Sequence, residues 1–407
     1  MKRKSSWMIR LICLILILSA TMLPAASLTV ETDKTDSGTH YPFIFVSGFA
    51  GWGQYDMLND ALPYWGRLNG DLMATLNSQG YECYAASVDA WDSAWDRACE
   101  LYAQLTGSVV DYGAAHSARY RHWRYGADYS KSPLINAWGA EDSQGNTRKI
   151  NLVGHSFGGA TVRLFADLLA YGDEMELAET PADEISGLFT GGKADLVHSI
   201  TTLASPHNGT TLTLLIDPSN LVNFPINGEP GREVIRESAI FETIYGVNKL
   251  IFGTREADTG VYDLTIDGAA ALNETIDTLP GVYYFSYPTD STTPAFFTDR
   301  RMPDIRLTDP VLWIPTYYMG STSSVTLEGS NIDNTWYSND GVVNTVSTTA
   351  PRGTPQQAYN PVDIPKGVWN VMPTFMGDHA AIIGGLSYTV DINDFYLQHL
   401  RLIDSLE

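Results

Sequence analysis

The stretch Lys149-Ile-Asn-Leu-Val-Gly-His-Ser-Phe-Gly-Gly-Ala160 governs the reading of the whole chain. Ile150, Leu152 and Val153 make a short apolar run of strand character. Gly154-His155-Ser156-Phe157-Gly158 is a Gly-x-Ser-x-Gly pentapeptide, and Ala160 to Leu169 has helical composition. A serine on a tight strand-to-helix turn has its Oγ held out at the end of a sheet, where it can act as a nucleophile. The flanking glycines are needed because such a turn crowds side chains and strains the serine backbone. The free N–H groups that open the following helix favour negative charge developing beside the serine. The plain alternative is a glycine-rich turn that only packs a helix on a strand. The strand before, the helix after and a third glycine at 159 favour the nucleophile.

Outward from this turn, Pro42-Phe-Ile-Phe-Val-Ser47 reads as a buried strand, and Gly48-Phe-Ala-Gly-Trp-Gly53 follows it. A glycine-rich loop after the first buried strand is where α/β-hydrolases build half of their oxyanion hole. The backbone N–H groups of Phe49 and Phe157 are therefore the expected donors. Leu68–Asn77 and Trp95–Leu105 read as helices, and Tyr81–Val88, Val197–Leu203 and Val282–Tyr287 as strands. Ile392–Leu406 is an amphipathic helix. Strands alternating with helices predict a mostly parallel sheet covered on both faces. Residues 211–260 break into short apolar pieces where a lid would sit, 320–340 are loop-rich, and 351–366 are loose and proline-rich. With no internal repeat and no linker, the expectation is a single catalytic domain over 28–407.

The first 27 residues stand apart. Lys2, Arg3, Lys4 and Arg10 precede an apolar run from Leu11 to Leu23, and Ala25-Ala26-Ser27 is a small-residue cleavage region. That is the pattern of a secretory signal peptide, and the run is shorter than the roughly 20 residues of a membrane span. Residues 28–40 are polar and read as a flexible leader. Four of the 25 basic residues and none of the 47 acidic ones fall in 1–27, which leaves a balance of −26. Such acidity argues for solubility outside the cell and against nucleic acid or anionic lipid surfaces as partners. Cys83 and Cys99 are too few for a disulfide framework; they could pair or stay free.

In this fold the acid and the histidine follow the serine in the chain. His379 and His399 are the late histidines. His399 lies inside the terminal helix, a surface or core-edge position. His379 stands in Met376-Gly-Asp-His-Ala-Ala-Ile-Ile-Gly384, a turn suited to a loop-borne base, and is the choice. The acid is either Asp340, in Ser338-Asn-Asp-Gly-Val-Val-Asn344, or Asp290, at the end of a strand. Asp378 is too close to His379 in sequence to orient its ring.

Further stretches carry a resemblance. Gly48-Phe-Ala-Gly-Trp-Gly53, Tyr64-Trp-Gly66, Trp95-Asp-Arg-Ala-Cys-Glu100 and Val110-Asp-Tyr-Gly-Ala-Ala-His116 lie in the first third. Ser205-Pro-His-Asn-Gly-Thr-Thr211, Asn339-Asp-Gly-Val-Val-Asn-Thr345 and Lys366-Gly-Val-Trp-Asn370 lie beyond the elbow. Together they resemble the thermoalkalophilic bacterial lipases of family I.5 and their staphylococcal and clostridial relatives, over about 42–400. The resemblance implies an α/β-hydrolase fold and ester hydrolysis of lipids, and it selects Asp340 as the acid. It also implies a structural zinc held by Asp96, His116 and His122, ligands that suit a closed four-coordinate site. The fourth ligand has no clear counterpart; Asp258 or another local acid is available.

Three departures from the family accompany it. Ser47 replaces the usual histidine before the oxyanion glycine. Ala381 and Leu386 stand where calcium-binding members carry acids, so no calcium is expected there. The shorter 211–260 region implies a smaller lid and a preference for short acyl chains or bulky esters. The expectation is thus a secreted serine carboxylester hydrolase, a triacylglycerol lipase or esterase acting on lipid or another ester at an interface. A phospholipase, a thioesterase and a polyester-degrading esterase share the same chemistry. From another class, a catalytically silent lipid-binding relative is the alternative.

Overall fold

The computed structural model describes residues 39–141, 143, 145–216, 257–326, 328–386 and 390–407. The expected signal segment, the leader up to residue 38 and the lid region from 217 to 256 lie outside the described residues. The leader's last two residues are tied down: Thr39 N–H reaches the Asp404 carbonyl at 2.8 Å, and His40 N–H reaches its carboxylate at 2.6 Å.

Seven strands form the central sheet: β1 Phe43–Val46, β2 Cys83–Ala86, β3 Ile150–His155, β4 Val197–Leu203, β5 Tyr283–Tyr287, β6 Gln356–Ala358 and β7 Trp369–Val371. Their spatial order is β6-β7-β5-β4-β3-β1-β2, and every neighbouring pair is parallel. Parallel strands need helical crossovers, and these cover both faces. Alternation along β1 divides the core. Ile44 and Val46 pack with α2 (Ala94–Thr106) and α4 (Gly158–Tyr171), whereas Phe43 and Phe45 pack with α1 (Leu72–Ser78) and α6 (Ile392–Asp404). Two shorter helices, α3 (Ala114–Tyr120) and α5 (Glu174–Glu179), border the first of these layers.

The parallel run gathers the carboxyl ends of the strands at one edge. There β1 leads into Gly48, β3 into Ser156 and β5 into Thr289.

Three expectations need correction. Residues 351–366 are not all loop, because they supply β6 at the sheet's edge. Gln356-Gln-Ala358 buries no apolar face there and so carries no strand pattern. The helix expected from Leu68 starts only at Leu72: Gly70, at φ +91°, interrupts it, and the Asp71 carboxylate caps the new start by accepting from Ala74 N–H. His399 is in the core rather than at its edge, since α6 turns it onto the sheet between Thr201 and Tyr287. Cys83 and Cys99 are both free and buried. Among the described residues no helix is long and apolar enough to cross a membrane.

Candidate active site and metal centre

β3 ends at His155 and α4 begins at Gly158, so Ser156 occupies the turn between them at φ +54°. That left-handed conformation is costly for a side-chain-bearing residue and persists only where its surroundings enforce it. The surroundings do so by contact. A Cβ on Gly154 would stand 2.5 Å from the Gly158 carbonyl oxygen, and one on Gly158 would collide with the Val46 carbonyl. Gly48 lies against the serine itself, where a Cβ would be 2.6 Å from Ser156 Cβ.

His379 sits beside this turn. Its ring centroid is 4.7 Å from that of His155, and His155 Nε2 is 3.0 Å from the His379 carbonyl oxygen. His379 Nδ1 donates to Asp340 Oδ2 at 2.8 Å, and its main-chain N–H reaches the Asp340 carbonyl at 3.0 Å. The fully buried Asp340 carboxylate also accepts from Val342 N–H, Val343 N–H and the Thr289 hydroxyl at 3.0, 2.7 and 2.6 Å. Its geometry is therefore over-determined, and the proton it holds on Nδ1 leaves a lone pair on His379 Nε2. Among the described residues no hydrogen bond links Ser156 Oγ to His379; such contacts commonly tighten only with substrate bound.

The rival residues are engaged elsewhere. Asp290 binds Arg301 at 3.0 Å and the hydroxyl of Thr292. Asp378 turns its carboxylate onto the N–H groups of Asp309, Ala380 and Ala381, and burial raises its pKa to about 6. His399 is bound at both ring nitrogens by Thr201 and Tyr287, and burial pulls its pKa down to about 3.

On the other side of Ser156, neither Phe49 N–H nor Phe157 N–H has an acceptor among the described residues. Their rings meet edge to face at 6.4 Å. The loop between β1 and Phe49 is held by residues whose importance composition and spacing do not reveal. Tyr64 Oη accepts from Gly48 N–H at 2.9 Å and lies 2.7 Å from His155 Nδ1. The fully buried Arg97 donates to the carbonyls of Ser47 and Gly48 and lies over the Phe157 ring, 4.9 Å from its centroid. Burial lowers its pKa to about 10, so it remains charged at neutral pH. Arg97 and Tyr64 fall in stretches that carried the resemblance, which is the one signal that marked them.

A second cluster lies where α2 meets α3. Asp96, His116, His122 and Asp258 offer one ligand atom each, all within 4.8 Å of one another. Asp258 thus joins the three residues anticipated from sequence. His116 Nε2 is 3.3 Å from Asp96 Oδ1 and 3.2 Å from Asp258 Oδ1, and His122 Nε2 is 3.6 Å from Asp258 Oδ2. His122 Nδ1 donates to the Trp123 carbonyl at 2.8 Å, which leaves Nε2 as the ligand nitrogen. The Glu176 carboxylate on α5 accepts from the N–H groups of Ala115 and His116 and so fixes the start of α3. Asp96 Oδ1, His116 Nε2 and His122 Nε2 are buried without a hydrogen-bond partner. Such atoms call for a cation, and two imidazoles with two carboxylates fit a four-coordinate zinc.

Comparison with known proteins places this geometry among relatives. The family described as "Lipase-like, C-terminal domain" matches residues 39–225 and 237–403. Lipase 2 of Staphylococcus aureus is 34% identical over 385 residues, covering 87% of this chain and 51% of that protein. The chain therefore spans about half the length of the curated relatives it matches. Among solved structures, EstA from Clostridium botulinum superposes with a TM-score of 0.76 at 32% identity, covering 96% of this chain and 97% of that one. Lipase 1 from Pelosinus fermentans gives 0.71 at 35% identity, covering 90% and 99%.

Proposed function

This chain belongs to the family of lipase-like C-terminal domains, with staphylococcal lipases and a clostridial EstA among its relatives, and from that membership we propose that it is an extracellular serine carboxylester hydrolase. The observation that carries the reading is Ser156, held at positive φ on a strand-to-helix turn with the His379–Asp340 pair beside it. We assign residues 28–407 to one hydrolase domain and 1–27 to a cleaved signal peptide. The substrate is a triacylglycerol or another carboxylic ester presented at an interface.

Ser156 Oγ attacks the ester carbonyl carbon and gives its proton to His379 Nε2. Asp340 keeps the other proton on Nδ1 and stabilises the imidazolium. The carbonyl oxygen, now negative, accepts from Phe49 N–H and Phe157 N–H. Collapse breaks the bond to the leaving alcohol, which takes the proton from Nε2, and leaves an acyl-serine. Water, deprotonated by His379, then releases the carboxylic acid. Asp96, His116, His122 and Asp258 would hold a structural zinc, whose chemistry is to cross-brace α2, α3 and the segment at 258.

The test is hydrolysis of a short-chain nitrophenyl ester and of an emulsified long-chain triglyceride by the full chain and by Ser156→Ala. Activity on either substrate that Ser156→Ala abolishes is the expected result. A folded, zinc-supplied chain that hydrolyses neither would overturn the reading in favour of a silent lipid-binding relative.

A further inference from the structure

We propose that Arg97 is a positioning residue for the oxyanion hole, aiming the Phe49 N–H at the reacting carbonyl and polarising it. The proposal rests on the hydrolase reading above.

The argument starts from peptide geometry. In a planar trans peptide the C=O and the N–H point in opposite directions. Arg97 draws two successive carbonyls, those of Ser47 and Gly48, to one side of the loop. The N–H groups of the same two peptides, on Gly48 and Phe49, must then face the other side. Successive N–H groups turned to one side make a concavity suited to an anion. Tyr64 Oη occupies the first of them, 2.9 Å from Gly48 N. Phe49 N–H has no acceptor among the described residues. Gly48 itself lies against Ser156, where a Cβ would be 2.6 Å from Ser156 Cβ, so the peptide that carries this N–H borders the serine.

The choice of residue fits this task better than it fits packing. A fully buried guanidinium is expensive unless paired, and among the described residues no carboxylate lies within ion-pair distance of Arg97. Its NH1 and NH2 groups instead go to the loop's carbonyls, with its face against the ring of Phe157, the other donor residue. A cation bonded to a peptide carbonyl strengthens that peptide's N–H as a donor. Arg97 thus touches both halves of the hole without touching substrate. The guanidinium's rigid planar fork reaches the two carbonyls from two separate nitrogens, a geometry that lysine's compact ammonium does not reproduce, so lysine is not equivalent.

The experiment compares the full chain with Arg97→Met and Arg97→Lys. Active serine is counted by fluorophosphonate labelling, so that kcat refers to competent molecules. Two readouts follow: kcat and KM on a soluble nitrophenyl ester, and inhibition by an alkylboronic acid, whose adduct with serine is tetrahedral and anionic. For Arg97→Met, kcat falls about a hundredfold, as loss of an oxyanion donor does. KM changes less than threefold, and boronate affinity falls in step with kcat. Arg97→Lys recovers part of both. A folded Arg97→Met with kcat and boronate affinity within threefold of wild type overturns the proposal. If Arg97→Met does not fold, Arg97→Lys decides by the same criteria, a roughly tenfold parallel loss being expected. An inert wild type would remove the hydrolase reading itself; an active wild type with an indifferent Arg97 removes this inference alone.

Discussion

His155 Nε2 lies 3.0 Å from the carbonyl oxygen of His379, so the residue before Ser156 holds the backbone of the residue proposed as its base. A carbonyl only accepts, which places the His155 proton on Nε2 and leaves Nδ1 to accept from Tyr64 Oη–H. Tyr64 in turn accepts from Gly48 N–H, so one directional chain runs from the oxyanion loop to His379. Burial holds His155 well below the usual histidine pKa, so it stays neutral and keeps this role. His155→Leu strands the Tyr64 hydroxyl and the His379 carbonyl. A loss of about 1–3 kcal/mol for a buried unsatisfied group is expected, with a lower kcat, measured by urea unfolding and ester turnover.

Asp340→Asn should keep the fold and lose the activity. Its amide would present N–H to His379 Nδ1 and drive the ring into the tautomer that cannot accept from serine. A fall in kcat of about 10⁴ is expected, as for this change in a well-characterised Ser-His-Asp triad. Turnover per folded molecule, with circular dichroism as the control, checks it.

Zinc should stabilise the chain and chelation should weaken it. A ligand bound only by the folded state adds about 2.7 kcal/mol at a hundred times its Kd. The thermal midpoint in EDTA should therefore rise on adding zinc, and Asp258→Asn or His122→Ala should abolish the rise. An equal midpoint with and without zinc in wild type would dismiss the metal.

The pH dependence of stability should include a clear share from His399. Its folded pKa, about 3, lies below the unfolded value of about 6.5. Above pH 6.5 both states are neutral there and its contribution is fully present. As pH falls from 6.5 towards 3 the unfolded chain takes up the proton first, and stability drops by roughly 1.4 kcal/mol per pH unit. His399→Gln should remove that slope. The difference between variant and wild type in urea unfolding from pH 7 to pH 4 isolates it from the buried carboxylates, whose raised pKa values act in the opposite sense.

What the chain discloses before folding depends on how local each feature is. The turn at Ser156 is legible because strand, glycines and helix are contiguous, and β4 is legible from its β-branched residues, Val197, Ile200, Thr201 and Thr202, closed by Leu203. The partners His379 and Asp340 were narrowed by chain order and then by resemblance, since nothing local separates Asp340 from Asp290. Arg97, Tyr64 and His155 lay in stretches that were singled out, yet their contacts stayed hidden: an arginine in a helix reads as a solvated face until tertiary structure turns it inward. Asp258 could be named as available but not assigned, because the shortened segment before it removes any spacing to count. At β6 the sheet edge buries nothing, so no pattern exists to be read.

The all-parallel sheet also sets an order in time. No two neighbouring strands can close as a hairpin, and β1 pairs with β3 roughly a hundred residues downstream, at Phe43 and Asn151. Such distant pairings lose loop entropy before they gain contacts, so the chain should fold slowly and expose bare strand edges on the way. Asp340 and His379 come later than five of the seven strands, and His379 follows all of them. A chain emerging from synthesis therefore carries Ser156 through four further strands before it carries His379, so the two cannot meet until every strand of the central sheet has been made.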